Sequence, residues 1–423
     1  MTPTLPHGCD TAIVGAGAAG LATAIFTRRL NPARSVWLLD GAKKPGAKIL
    51  MSGGSRCNVT NASVTDADFW GGKRSIVRRV LRAFPVPDTI AFFEQIGVRL
   101  HEETGGKLFP DSNRARDVLE ALLREVDASG VDLRAGRRVL DVIRTGTGFR
   151  IATSHGEFEA DTVVLATGGQ SMPRTGSDGA GFETARRLGH TLTPPTPGLA
   201  PLLLSKDDDL HGELSGVSHD VELTLWVDGS VACRIRGAML WTHFGISGPA
   251  ALDMSRHWLR ATLDGRAARL TANFCPGLEF DDLDQRWTTL AAERPKSTVQ
   301  SALATLVPTS VAAALLRRLH IDATIALAHF PRNERRRLVK ALIAWPLPVV
   351  GSRGYHYAEV TAGGVPLTEV NAATMESRVC PGLYFAGEIL DVDGRIGGFN
   401  FQWAWSSAHV AATALARRPA NRH

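Results

Sequence analysis

The sequence contains few cysteines, and their arrangement excludes two kinds of stabilised fold. Only five of the 423 residues are cysteines, namely Cys9, Cys57, Cys233, Cys275 and Cys380. No two of them form a Cys-x-x-Cys pair, and their number is odd. Scattered cysteines of this kind argue against both a disulfide framework and a zinc site. We therefore expect no bound metal.

Long hydrophobic runs are also missing. The chain has no stretch of about 18 apolar residues, and no basic segment precedes its first apolar stretch. These absences predict a protein without a membrane span or a targeting segment, and the cytoplasm is the expected location. The hydrophobic share of 44% and the charged share of 21% are ordinary for a globular chain. The length predicts two or three domains.

The charge balance is basic, with a formal net charge of +6. Two interpretations stay open: a polyanionic partner such as RNA, or an arginine-rich surface that is merely solvated, which is the commoner case. The basic residues form three clusters: Lys73, Arg74, Arg78, Arg79 and Arg82; Arg134, Arg137 and Arg138; and Arg332, Arg335, Arg336 and Arg337.

A glycine loop near the start of the chain carries the strongest motif. A predicted strand at 10–14 leads into Gly15-Ala16-Gly17-Ala18-Ala19-Gly20, and an apolar helix pattern follows. The next predicted strand ends in Asp40, twenty residues after Gly20. In this fingerprint, Gly15 permits the tight turn, Gly17 lets the backbone approach a pyrophosphate, and Gly20 lets helix and strand pack closely. Asp40 can accept a hydrogen bond from a ribose. The motif predicts an ADP-containing cofactor but does not separate FAD from NAD.

Later glycine turns favour FAD. A predicted strand at 162–165 ends in Ala166-Thr167-Gly168-Gly169, and another at 383–385 ends in Gly387-Glu388. Gly397 and Gly398 then precede a predicted helix that runs through Val410. Such loops at both ends of a chain predict a discontinuous binding domain. An extended FAD needs distant parts of the chain to hold its ring, whereas an NAD site usually occupies one self-contained domain.

Composition changes along the chain predict five segments. Residues 1–195 form the first part of the FAD-binding domain, 196–280 a β-barrel-like insertion and 281–345 a helical insertion. Residues 346–360 supply a return strand of the barrel, running through Val349 and Val350 to Val360, and 361–423 complete the FAD-binding domain. The first boundary rests on the proline cluster at 194–197. The segment 48–58 is interpreted as a polar glycine-rich loop.

Blocks of sequence over nearly the whole chain resemble the HI0933-like flavoproteins, also called the BaiN/RdsA family or the aminoacetone oxidase family. They are the loop at 15–20, KILMSGGSRCNVTN at 48–61, ATGGQSMPRTGSDGAG at 166–181, THFGISGP at 242–249, and the segment 358–400. The resemblance implies an α/β fold: a two-part Rossmann-type FAD-binding domain with an inserted β-barrel domain and a small helical domain. One departure is Ser55, where the family usually has a third glycine; serine there is costly if the position needs a positive φ.

The resemblance also implies a cofactor site, a reductant and a reaction. FAD is the expected cofactor, and NAD(P)H is the expected transient co-substrate, since the chain has only one dinucleotide fingerprint. The expected reaction is reduction of a conjugated carbon–carbon double bond, in a steroid-like enone or in uridine of 23S ribosomal RNA. The alternatives are an FAD-dependent oxidase of a small amine and a non-catalytic flavoprotein that docks RNA. The expected FAD-binding residues are Gly15, Gly17, Ala18, Ala19, Gly20, Asp40, Lys48, Ser52, Gly53, Arg56, Asn58, Val139, Ala166, Thr167, Gly168, Gly387, Glu388, Gly397, Gly398, Phe399 and Asn400.

Reduction of a double bond needs a proton donor near the flavin. Cys57 is the first candidate, although a buried cysteine is more often a small hydrophobic residue. His243 is the second, although a lone histidine is more often structural. Tyr355 and His356, beside Arg353, are weaker candidates. For several other residues the alternatives stay open. Arg56 binds a flavin oxygen or a substrate anion, or makes a surface ion pair. Glu388 and Asp391 are expected to position the cofactor rather than to act as acids in turnover, and Asp391 with Asp393 resembles a metal pair but is more typical of a solvated loop.

Overall fold

A computed structural model describes residues 8–207 and 209–419. The chain divides into two compact units. The first runs to Thr196 and resumes at Glu359, and the second is Pro197–Ala358.

The elements alternate between strands and helices in the first unit. Its N-terminal part contains the strands β1 (Gly8–Val14), β2 (Val36–Asp40), β3 (Thr60–Asn61), β4 (Phe69–Gly71), β5 (Leu100–Glu103), β6 (Lys107–Pro110), β7 (Asp132–Ala135), β8 (Val139–Arg144), β9 (Phe149–Thr153), β10 (Gly156–Leu165) and β11 (Thr193–Gly198, which crosses the boundary). Its helices there are α1 (Ala18–Leu30), α2 (Ala47–Ser55), α3 (Arg74–Ala83), α4 (Val86–Gln95), α5 (Ala115–Ala128) and α6 (Ala180–Arg187).

The second unit contains the strands β12 (Leu202–Leu204), β13 (Ser218–Val227), β14 (Ser230–Thr242), β15 (Gly245–Ser247), β16 (Ala268–Asn273), β17 (Trp345–Leu347) and β18 (Val349–Ser352). Its helices are α7 (Leu210–Glu213), α8 (Gly248–Leu263), α9 (Phe280–Glu293), α10 (Val299–Leu303), α11 (Thr309–Arg318) and α12 (Arg332–Ile343). The chain then returns to the first unit with β19 (Val360–Gly364), β20 (Leu383–Phe385), β21 (Val392–Gly394) and α13 (Phe399–Arg417).

A parallel sheet forms the centre of the first unit. Its parallel strands have the order β7-β2-β1-β10-β20, and β9 and β8 continue from the first half of β10 as antiparallel strands. Successive side chains of a strand point to opposite faces. Accordingly, Ile13 and Leu38 belong to one buried apolar cluster, while Ala12 and Leu39 belong to another. The sheet is therefore covered on both faces, as parallel sheets usually are.

The parallel strands end at one edge of this sheet. The backbone N–H of Gly15 donates to the carbonyl of Leu39 (2.8 Å), and that of Ala166 donates to the carbonyl of Val14 (2.9 Å). The N–H of Ala386, after β20, donates to the carbonyl of Leu165 (3.1 Å). Four segments that are distant in sequence thus meet where ligands usually bind in open α/β sheets.

The second unit is built on one antiparallel sheet with the strand order β17-β16-β13-β14-β15-β12-β18. Its buried apolar cluster contains Leu223 and Trp241 from the sheet together with Leu283, Leu315 and Leu338 from the helices α9, α11 and α12. Sheet and helices therefore share one core. Closure of the sheet into a barrel, and a separate helical domain, stay predictions.

The prediction of one strand from Val349 to Val360 is wrong. β18 ends at Ser352 and pairs with β12, whereas β19 begins at Val360 and pairs with β11. Between them Gly354 has a φ of 71°, which is the left-handed region that glycine adopts without steric cost. This turn separates two stretches of strand-forming residues, Val349 and Val350 before it and Tyr355 and Tyr357 after it.

No helix in the described residues is long and apolar enough to cross a bilayer.

A histidine of α8 makes the stability of the second unit sensitive to acid. Burial, with a smaller contribution from Arg256, lowers the pKa of His257 to about 4, so the folded state holds it neutral at a pH where the unfolded chain protonates it. Its contribution to stability is complete above about pH 6.5 and is lost as the pH falls towards 4, by about 1.4 kcal/mol per pH unit. We expect His257→Gln to lose about 1 kcal/mol less stability than the parent chain between pH 6.5 and 5.5, measured by urea unfolding. Equal losses in the two proteins would contradict the assignment.

Candidate cofactor site

Three glycines of the first loop have different surroundings. Gly15 has a φ of 101°, and a Cβ atom there would lie 2.5 Å from the carbonyl oxygen of Ala166. A Cβ atom at Gly20 would lie 1.8 Å from the carbonyl oxygen of Gly15. A Cβ atom at Gly17 would meet no atom of the described residues within 4 Å, and no side chain among them caps the helix α1 that starts there. Gly15 and Gly20 are therefore fixed by protein packing, whereas Gly17 lies beside open space at a helix N-terminus, where anions bind readily.

Asp40 lies at the end of β2, and its carboxylate holds the glycine loop. One oxygen accepts from the N–H of Ala16 (2.8 Å) and the other from the N–H of Ala42 (2.7 Å). A carboxylate accepts about four hydrogen bonds, so two further bonds, for example from a ribose, remain possible. The half-buried Val139 begins β8, two residues after Arg137, whose N–H donates to the carbonyl of Asp40 (2.8 Å).

The segment 48–58 is only partly the loop that its composition predicts. Its first residues form the helical turn of α2, and Ser52 then leaves the helix with φ −68° and ψ 149°. Gly53, Gly54 and Ser55 follow with φ values of 55°, 66° and 66°. The backbone thus bends through three left-handed residues. Ser55 occupies a conformation that glycine adopts far more easily.

We expect Ser55→Gly to stabilise the protein by about 0.5–1 kcal/mol, because it relieves a left-handed φ. Ser52→Gly is the matched control in the same turn. It should destabilise by a similar amount, because Ser52 has an ordinary φ and glycine has more unfolded-state entropy to lose. The measurement is urea unfolding of the two variants. A destabilised Ser55→Gly protein would show that the serine side chain outweighs the backbone strain.

The two polar residues that flank Cys57 differ in their partners. The Arg56 guanidinium pairs with Glu103 (2.6 Å), whose pKa it lowers, and lies 4.0 Å from the ring centre of Phe109. Arg56 therefore makes an ion pair within the first unit. Asn58 is buried, and its Oδ1 accepts no hydrogen bond from the described part of the chain. A buried acceptor without a donor is costly, so this oxygen is suited to a ligand N–H group.

The two candidate proton donors belong to different units. Cys57 is fully buried, and burial raises the pKa of its thiol to about 12. His243 is exposed on the turn between β14 and β15, where its ring contacts that of Phe244. The Arg353 guanidinium lies 4.5 Å from the Phe244 ring centre and 3.4 Å from that of Tyr357.

The two weaker candidates, Tyr355 and His356, are neighbours in the second unit. Burial raises the pKa of Tyr355, whereas His356 is exposed.

A cluster of polar side chains surrounds the turn after β20. Lys48 forms an ion pair with Glu388 and donates to Ser171 Oγ (2.6 Å). Glu388 Oε1 also accepts from Ser171 Oγ (2.9 Å) and from the N–H of Thr361 (2.9 Å). Thr361 Oγ1 in turn accepts from the backbone N–H groups of Gln170 (2.8 Å) and Ser171 (3.1 Å). The cluster therefore joins α2, the turn after β10, β19 and the turn after β20.

Two members of this cluster, Ser171 and Thr361, were missed by sequence reasoning. Both lie inside blocks that resemble the family, at 166–181 and 358–400. Their position inside these blocks was the signal from which a role at the site could have been predicted. The expected residues Thr167 and Gly168 lie in the turn directly after β10, where Gly168 has a φ of 69°.

The C-terminal glycines pack closely against the protein. A Cβ atom at Gly387 would lie 2.7 Å from the Cβ of Ala19, and one at Gly398 would lie 2.4 Å from the carbonyl of Thr60. Gly397 has a φ of 121°, and its carbonyl accepts from Asn61 Nδ2 (3.0 Å). Gly387 therefore allows the turn after β20 to approach α1, and Gly398 allows the start of α13 to approach β3.

Phe399 and Asn400 begin α13. Phe399 is buried, and its ring lies edge-to-face on Phe69 at 6.3 Å. The Asn400 amide makes two hydrogen bonds with the backbone of Gly394 (2.8 and 2.9 Å). These contacts fix both side chains within the loop, while the backbone N–H groups of the first helical turn have no partner inside the helix.

The interpretation of Asp391 and Asp393 as part of a solvated loop is wrong. Both are buried, and Asp391 accepts from Thr193 Oγ1 (2.8 Å). Both lie in a folded segment, since β21 pairs with β4 there. Among the described residues, no group of three or more His, Cys, Asp or Glu side chains is arranged to hold a metal ion.

Comparisons with known proteins identify relatives that match this chain over nearly their whole length. The 3-dehydro-bile acid delta(4,6)-reductase of Clostridium scindens is 33% identical over 407 residues, which cover 96% of this chain and 99% of the relative. The ribosomal RNA dihydrouridine synthase of Escherichia coli is 35% identical over 411 residues, covering 96% and 98%. A crystal structure of the 3-ketosteroid delta1-dehydrogenase from Sterolibacterium denitrificans matches with a TM-score of 0.50 and 13% identity over 97% of this chain and 100% of that chain, a likeness of fold alone. The model of the HI0933-like protein Rossmann domain matches residues 9–414, and the chain therefore belongs to the HI0933-like family.

Proposed function

We propose that this protein is an FAD-dependent oxidoreductase that reduces a conjugated carbon–carbon double bond, with NADH or NADPH as the reductant. The observation that carries the proposal is the meeting of four strand ends at one sheet edge, the last of them β20. The C-terminal segment thus returns to the glycine loop, as an extended FAD requires. Family membership supports the same cofactor.

The residues at this edge fit FAD. The open space at Gly17 and the uncapped N-terminus of α1 suit a pyrophosphate, and Asp40 suits the adenosine ribose. The unpartnered Oδ1 of Asn58 suits an N–H donor of the flavin ring. When bound, FAD supplies hydride transfer, while the protein supplies binding, orientation and electrostatics.

The chain must also supply a proton to the substrate. Cys57 is a weak acid, because a donor works best when its pKa is near the working pH and that of Cys57 is raised to about 12. Histidine is the side chain most often used for such transfers. We therefore assign the proton donor to His243, with Cys57 as the alternative.

For the substrate we propose uridine in ribosomal RNA, which would be reduced to dihydrouridine. The name of the Escherichia coli relative and the net charge of +6 support an RNA substrate. The name of the Clostridium scindens relative supports a steroid-like enone as the second candidate, which needs the same chemistry.

Two measurements test the proposal. In an anaerobic titration, NADPH or NADH should bleach the flavin absorbance of the purified protein; no bleaching would indicate a non-catalytic flavoprotein. Peroxide release with small amines, without a response to either nicotinamide, would indicate an amine oxidase. Mass spectrometry of ribosomal RNA from a deletion strain should show the loss of a dihydrouridine, and unchanged RNA would exclude the RNA substrate.

A further inference from the structure

The three basic clusters differ in how many of their cations are paired. On α12, Arg335 pairs with Asp284 (2.8 Å), Arg336 lies 3.6 Å from the same carboxylate, and Arg337 pairs with Glu334 (2.7 Å). Three of its four arginines therefore have a carboxylate partner, which two of them share.

The cluster formed by β7 and the turn before β8 is also partly paired. Arg134 pairs with Asp132 (2.7 Å), and Arg138 pairs with Asp178 (2.6 Å). Two of its three arginines therefore have a carboxylate partner.

The cluster on α3 is different. Arg78 pairs with Asp66 (2.7 Å), but the other four cations make no ion pair with any described residue. All four are exposed, namely Lys73, Arg74, Arg79 and Arg82. Unpaired cations on one helix give a local positive field that favours a polyanion.

Three of the five cations, including the paired Arg78, lie in a line along α3. Val77, Val80 and Leu81 are buried and fix the inner face of the helix. Arg74, Arg78 and Arg82 recur every fourth residue, so they form one stripe about 12 Å long, given a rise of about 1.5 Å per residue. We call this line, with the adjacent Lys73 and Arg79, the α3 stripe.

A cavity of about 240 Å³ adjoins the α3 stripe. Arg78 and Arg82 flank it, and Leu81, Pro85 and Val86 supply apolar walls. It is smaller than the roughly 300–1,000 Å³ of pockets for drug-sized ligands, so it suits a fragment such as one nucleobase. Bases that leave a single strand stack on arginine planes and apolar surfaces.

The segment that precedes the α3 stripe contacts the loop that leads into the candidate cofactor site. β4, which precedes α3, pairs with β21. Asp68 accepts from the backbone N–H of Arg395 (3.0 Å) and lies 3.4 Å from its guanidinium. Arg395 directly precedes the Ile396-Gly397-Gly398 turn at the start of α13.

We propose that the α3 stripe is a docking surface for single-stranded RNA, with phosphates on its unpaired cations and one base in the adjacent cavity. This proposal rests on the proposed function, in which RNA is the substrate. An anionic membrane is less suited to this surface, because none of the exposed large hydrophobic residues lies on α3, and membrane-binding helices insert such residues.

The test measures binding of a fluorescein-labelled oligouridylate of about 20 nucleotides to the FAD-loaded full chain at several salt concentrations. The variant R74Q/R79Q/R82Q removes three unpaired charges, and R332Q/R336Q/R337Q on α12 is the control with the same loss of charge. For the α3 variant we expect at least a tenfold loss of affinity. The slope of the logarithm of the binding constant against the logarithm of the salt concentration should fall in magnitude by about two, because each phosphate contact on a single strand contributes about 0.7 to this slope. The control should keep the slope of the parent chain.

A second variant, Val86→Phe, tests the cavity. It should weaken binding while leaving the salt dependence unchanged, because it fills space without removing a charge. Equal losses in the α3 variant and the α12 control would overturn the docking surface, as would binding to phosphatidylserine vesicles without binding to the oligouridylate.

Failure of the surface and failure of the proposed function can be told apart. If the α3 variant binds RNA like the parent chain while dihydrouridine still depends on the protein in cells, only the surface is wrong. If the α3 variant alone loses RNA binding and dihydrouridine does not depend on the protein, the surface stands and the proposed reaction is wrong.

Discussion

Alanine at Gly20 should prevent the first unit from folding, whereas alanine at Gly17 should leave the fold intact and remove the cofactor. A Cβ atom at Gly20 would lie 1.8 Å from the backbone oxygen of Gly15, which neither segment can avoid without breaking the junction of β1 and α1. We expect a cost above about 4 kcal/mol, which belongs to the rare severe substitutions. At Gly17 φ is −83°, and a Cβ atom would meet nothing within 4 Å in the part of the chain that the structure describes.

The Gly17→Ala variant isolates the contribution of the loop to cofactor binding. Its cofactor-free form should unfold in urea within about 0.5 kcal/mol of the parent chain, as substitutions without new contacts usually do. Its affinity for FAD, measured by quenching of flavin fluorescence, should fall at least tenfold, because the methyl group occupies the space through which a pyrophosphate approaches the backbone. FAD binding at parental affinity in a folded Gly17→Ala protein would place the pyrophosphate elsewhere.

Local sequence patterns predict much of this fold because their causes are local. The residue patterns predict strands at 10–14 and 383–385, and the structure has strands at Gly8–Val14 and Leu383–Phe385. The glycine fingerprint is equally local, since each glycine is required by a turn or a close approach within one βαβ unit. These features need no knowledge of the rest of the chain.

The features that sequence reasoning missed depend on contacts between distant residues. Thr361 receives hydrogen bonds from residues about 190 positions earlier in the chain, and no local pattern indicates such a partner. The burial of Asp391 likewise depends on Thr193, 198 residues away. The turn at Gly354 was missed because the strand propensity on both sides is high and tertiary structure decides where a strand stops.

Replacing His243 by glutamine should lower turnover of the unsaturated substrate by about 10²–10⁴-fold, the usual contribution of a positioned general acid. Flavin reduction by NADPH should be unchanged, because that half-reaction needs no proton from this residue. The assignment rests on exposure and acidity: His243 is exposed, whereas the Cys57 thiol is fully buried and its pKa is raised to about 12. Stopped-flow absorbance separates the two half-reactions.

Two variants act as controls for this assignment. Cys57→Ala should keep turnover within about tenfold of that of the parent chain, because a buried thiol with a strongly raised pKa contributes packing rather than acid catalysis. His356→Gln tests whether any exposed histidine of the second unit has the same effect, and it should leave turnover unchanged. If Cys57→Ala loses turnover while His243→Gln keeps it, the proton comes from the buried thiol. The flavin environment must then lower the thiol pKa by several units. In that case turnover of the parent chain should fall at high pH as the thiol loses its proton, and the pH profile of Cys57→Ala should lack this fall.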